Sequence, residues 1–106
     1  MSYRFMRVIV FFDLPTATAE DRRRYRLFRK GLIEHGFMMM QESVYCRMVP
    51  NAGVQQSVVA TVRRIKPPAG IVQILTVTEK QFAKMECIVG EINNDIINSD
   101  ARLIIL

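Results

Sequence analysis

Tryptophan is missing from the chain, histidine occurs once, at His35, and cysteine occurs only at Cys46 and Cys87. That set is too small for a structural zinc site, which takes four such ligands. It also leaves no Ser/His/Asp arrangement, because the lone His35 falls at the end of a helical pattern. Five glycines are scattered and form no phosphate-cradling loop. No apolar run approaches the ~20 residues of a membrane span. The longest early run, "VIVFF", is too short for a signal peptide and is followed by Asp13 and Pro15. The expectation is a cytoplasmic protein with no membrane partner, whose two cysteines remain buried thiols. Repeats, low-complexity tracts and long linkers are also absent.

What is present is apolar bulk and positive charge. The chain has 106 residues, half of them hydrophobic, which suits one domain. Net charge is +5, unevenly distributed. Residues 1–78 hold 12 Lys and Arg against 5 Asp and Glu, whereas residues 79–106 hold 3 against 5. The first part is therefore a candidate polyanion surface, and the second is not.

Periodicity divides the chain into elements. Residues 4–14 read as a strand, and the unbroken run Val8–Phe12 suggests a central one buried on both faces. Pro15 ends it. Residues 18–35 read as a helix opened by Thr18 and Asp21, with Tyr25, Phe28, Leu32 and neighbouring Ile33 as its apolar stripe. Gly36 is its stop, and His35 can meet the last free carbonyls. Residues 37–49 read as two strands with a tight break at Gln41–Ser43. Val54, Val58, Val62 and Ile65 step at helical spacing until Pro67 and Pro68. Residues 70–78 read as a fourth strand. The order β-α-β-β-α-β is the ferredoxin-like α+β plan, an antiparallel sheet with both helices on one face. Residues 1–78 then form the core of a single domain and residues 79–106 an extension. Within that extension, Thr78 and Gln81 start a short helix and "CIVG" at 87–90 is a candidate fifth strand. Leu103, Ile104, Ile105 and Leu106 form an apolar tail expected to join a sheet edge, as of a second subunit.

Two features bear on chemistry. "RRRYRLFRK", residues 22–30, has six basic residues in nine. With Tyr25 and Phe28 turned inward, Arg22, Arg23, Arg26, Arg29 and Lys30 project outward. Glu20, Asp21 and Glu34 are too few to pair them all. Such a surface suits a nucleic-acid backbone, and Arg63 and Arg64, with Lys66, extend it from the second helix. Nothing in it reads bases, and Tyr45 alone does not make an RNA-stacking strand. The other feature is Asp13, at the end of the apolar strand. One carboxylate holds Mg²⁺ weakly. Two copies facing each other across a dimer could share the ion and orient a water on a phosphodiester.

Together, "VIVFFDLP", the basic first helix, "GFMMMQESVY" and "VQILTVTEKQF" resemble the small CRISPR-associated adaptation protein family, in its type II-like branch, over nearly the whole chain. The resemblance implies a ferredoxin-like homodimer whose C-terminal strand crosses to the partner. It implies a scaffold for spacer acquisition that bridges dimers of the larger CRISPR integrase subunit and holds duplex DNA. The family also carries an endonuclease label, with Mg²⁺ at the strand-end aspartate, which by position is Asp13.

Overall fold

A computed structural model describes residues 5–90. Its elements are β1 (Met6–Asp13), α1 (Ala19–Glu34), β2 (Met38–Gln41), β3 (Val44–Val49), α2 (Ala52–Ile65), β4 (Ile71–Thr78) and α3 (Glu79–Ala83). Among the described residues the sheet has four strands, in the order β2-β3-β1-β4. β1 is interior and antiparallel to both β3 and β4. This is the expected ferredoxin-like arrangement. Residues 91–106, including the apolar tail Leu103–Leu106 and any C-terminal strand, lie outside the described residues.

Local chemistry accounts for the boundaries. Thr18 caps α1: its hydroxyl accepts from the Asp21 N–H at 3.0 Å, and its own N–H donates to the Asp21 carboxylate at 3.2 Å. Gly36, at φ +86°, takes the left-handed turn that ends the helix. His35 Nδ1 lies 2.8 Å from the Gly31 carbonyl, the structural role expected of it. Thr78 and Gln81 repeat the capping box on α3. In α2, Asn51 caps the first turn through Val54 N–H.

Because side chains alternate along a strand, β1 faces two ways. Val8, Val10 and Phe12 join Phe28 and Leu32 of α1, Val58 and Val62 of α2, and Tyr45 in the main core. Phe12 meets the rings of Phe28 and Tyr45 with centroids 5.2 and 5.7 Å away. Tyr45 is wholly buried, so it cannot stack on a base, which removes the RNA-stacking alternative. The opposite, open face carries Arg7, Ile9, Phe11 and Asp13. Burial there is partial: Ile9 is buried with Cys46 under Met38, Met40 and Phe82, whereas Phe11 is 36% exposed.

Three expectations are corrected. "CIVG" is not a strand, and Ile88 and Val89 stand 82% and 90% exposed; β-forming side chains without a pairing partner do not make a strand. Cys87 is exposed, and only Cys46 is a buried thiol. Ile33 is exposed, because 100° per residue carries it off the stripe ending at Leu32.

Candidate nucleic-acid interface

The basic face of α1 follows from its buried one. With Phe28 and Leu32 turned to the core, Arg22, Arg26 and Arg29 fall at i, i+4 and i+7 along one exposed ridge. Arg23, Leu27 and Lys30 form the adjacent ridge. The cations differ in their partners. Arg23 and Arg24 share Glu20, at 3.0 and 3.1 Å, so of the five projecting cations Arg23 is ion-paired among the described residues. Arg22 donates to the carbonyls of Thr16 and Ala17 at 3.1 and 3.2 Å. Arg26, Arg29 and Lys30 make no ion pair or hydrogen bond among the described residues. Exposed pairs such as those to Glu20 are worth under about 1 kcal/mol, so an incoming phosphate can replace them.

The two candidate arginines of α2 diverge. Arg63 lines a groove of about 380 Å³ between α2 and β4, with Lys66 beside it and Val59, Val72 and Ile74 as its apolar wall. Arg64, one residue and about 100° further round the helix, is exposed but does not line that groove. The two therefore differ in their surroundings, and only Arg63 faces the groove.

Topology nonetheless gathers charge at one end of the sheet. β1 ends at Asp13, α1 starts shortly after it, and α2 returns through Pro67–Gly70 to pair Ile71 with Asp13. Leu14, Pro15, Asp21, Arg24, Pro67 and Ala69 line one small cleft there. Gly70 makes the approach possible. Its φ is +96°, and a Cβ on it would lie 2.7 Å from the Leu14 side chain and 2.8 Å from the Asp13 carbonyl. Arg22, bonded to the Thr16 and Ala17 carbonyls, and Arg24, in the cleft, thus lie near the strand end that bears Asp13.

Asp13 is exposed on the open face, opposite Ile71, and its carboxylate makes no hydrogen bond or ion pair among the described residues. No three His, Cys, Asp or Glu side chains come together to hold a metal among those residues. One chain by itself therefore does not fit a dedicated Mg²⁺ site.

The other end of the same face holds a charge that sequence reasoning missed. Arg7, 2% exposed, grips Glu79 through Nε–H···Oε2 and through Nη2–H···Oε1 at 3.2 Å. Its guanidinium lies 4.4 Å above the Phe82 ring, and Nη1 is 3.7 Å from Cys46 Sγ. Burial pushes the Cys46 thiol up in pKa, against the opposing pull of Arg7. The available signal was alternation: Arg7 shares a face with Ile9, and a charge on a covered face requires an opposite one.

The profile of the family described as CRISPR associated protein Cas2 matches residues 6–85. A protein of Treponema denticola named CRISPR-associated endoribonuclease Cas2 is 54% identical over 101 residues, covering 95% of this chain and 100% of the relative. Proteins of the same name from Streptococcus mutans and Lacticaseibacillus rhamnosus are 46% and 47% identical, each over 95% of this chain and over 93% and 100% of their own lengths. No helix among the described residues is long and apolar enough to cross a membrane.

Proposed function

This chain belongs to the Cas2 family of CRISPR-associated proteins, and from that premise we propose that it is a duplex-DNA-binding scaffold in spacer acquisition, dimeric and bridging the larger integrase subunit. The observation that carries the reading is the basic face of α1, where Arg26 and Arg29 on one ridge and Lys30 on the next lack acidic partners among the described residues. Backbone phosphates supply those partners, and counterion release drives the association. The ridge holds no constellation for reading bases, so binding is independent of sequence.

The homodimer draws on the open face. Its Asp13 half bears Phe11 and Ile71, 36% and 57% exposed, with one carboxylate between them, and Leu75, 51% exposed, continues the patch along β4 opposite Ile9. Two-fold packing would bury the same apolar patch of both copies and bring both Asp13 residues into one interface. That pairing is also what favours a second reading, a Mg²⁺-dependent endonuclease acting on RNA or duplex DNA, since only two copies supply more than one carboxylate there.

Duplex binding is tested by anisotropy of a short labelled duplex across a salt series. The parent's log affinity should fall steeply with log salt. Arg22/Arg26/Arg29→Ala should bind more weakly and lower the slope by up to about 3. An unchanged slope with retained fold would remove the ridge from the interface. Integration with the purified larger subunit separates the two readings. Asp13→Ala should remain active as a scaffold. Loss of integration by a folded, complex-forming Asp13→Ala protein, with Mg²⁺-dependent cleavage by the parent alone, would establish the nuclease instead.

A further inference from the structure

The open face is divided by α3. At the Arg7 end the sheet is roofed by Glu79 and Phe82 and by the Met38 and Met40 side chains, and Arg7 and Ile9 are 2% and 5% exposed. At the Asp13 end it is bare. A packed sheet lies about 10 Å from its neighbour, and a helix with its side chains is about as thick. α3 therefore fills the layer that a second sheet would otherwise occupy over the Arg7 half.

A five-residue helix does not hold itself together. Its capping box orients the first turn, but contacts with the sheet fasten it: the two-pronged Arg7–Glu79 pair, the Arg7 guanidinium over Phe82, the Glu79 N–H donating to the Phe5 carbonyl at 3.2 Å, and Phe82 packed against Ile9 and Cys46. The first two depend on Arg7, reaching 72 residues along the chain.

We propose that the Arg7–Glu79–Phe82 clamp is a positioning device for self-assembly: by holding α3 over half of the open face, it confines a second copy to the Asp13 half. This rests on the homodimer reading above. Arg7 and Glu79 touch neither DNA nor the second copy in this scheme; they act through α3. With the clamp closed, one packing register remains, the one that puts both Asp13 residues in a shared interface. With it open, the apolar face is continuous from Ile9 to Phe11, and a partner sheet can slide along it.

The test is pulsed EPR on the full chain, nitroxide-labelled at Ala69→Cys in a Cys87→Ser background, with light scattering for subunit count and circular dichroism for fold. Ala69 is exposed at the Asp13 end, and buried Cys46 is left in place. The clamped dimer should give one narrow inter-label distance. Glu79→Gln and the milder Phe82→Leu should broaden or shift it while the protein remains folded and dimeric. Lys80→Ala, on the exposed side of α3, should leave it unchanged. An identical narrow distance in a folded, dimeric Phe82→Leu protein would overturn the clamp's role and leave the dimer standing. A parent that is monomeric throughout would overturn the dimer reading, and the clamp's role with it.

Discussion

Strand β1 carries two charges on one face, six positions apart, and the fold treats them oppositely. Arg7 is buried, bonded through two of its nitrogens to Glu79 and roofed by an aromatic ring. Asp13 is exposed and has no side-chain partner among the described residues. Burying an ion is tolerated only where a partner and hydrogen bonds replace water. An exposed ion carries no such requirement and remains open to a ligand or a second chain. The difference separates a charge that holds the structure from one that is free to act, although both end the same apolar run.

The largest effect is expected from breaking the buried end. Arg7→Ala leaves Glu79 desolvated without its cation and should lower unfolding free energy by about 3 kcal/mol. Asp13→Asn removes an exposed, unpaired charge and should stay within about 0.5 kcal/mol of the parent. Urea unfolding of the two variants decides it. Similar losses at both positions would mean that Asp13 is held by contacts as strong as those of Arg7.

Gly70 sharpens the contrast from the Asp13 side. The backbone beneath Asp13 is tightly fitted even though the carboxylate is not. Gly70→Ala meets a left-handed φ and a Cβ contact of 2.7 Å with Leu14. Strain and overpacking together should remove about 2 kcal/mol, read by the same unfolding curve. Retention of parental stability would show that the Pro67–Gly70 loop moves aside, leaving the strand end loosely placed.

Much of this was legible in the sequence because it was local. Thr18 with Asp21 and Thr78 with Gln81 announce both capping boxes within four residues. Gly36 and Pro67 mark the ends of α1 and α2, and the valine spacing marks the buried side of α2. What escaped was long-range or a matter of angle. The Arg7–Glu79 pair spans 72 residues, and no local pattern joins them. Arg63 and Arg64 are adjacent in sequence, yet only Arg63 lines the α2–β4 groove. The pairing of Arg23 with Glu20 depends on side-chain conformers that spacing permits without requiring. "CIVG" has strand-forming residues, but among the described residues nothing pairs with it.

The smallest effect concerns Cys46, which lies on the Arg7 half beside the guanidinium. Burial raises the folded thiol above its ordinary value of 9.0, with Arg7 opposing that shift. As pH rises through 9, the unfolded chain releases this proton before the folded one does. The native state then binds more protons than the unfolded state, so its stability must fall with pH. Cys46's contribution is complete below pH 9 and is lost progressively above it, up to the folded pKa. Unfolding at a series of alkaline pH values should show this decline in the parent and in Cys87→Ser, whose substituted thiol is exposed. Cys46→Ala should decline less steeply. An equal alkaline slope in Cys46→Ala would mean that Arg7 compensates the thiolate fully, making the covered half of the face as tolerant of a new charge as the bare one.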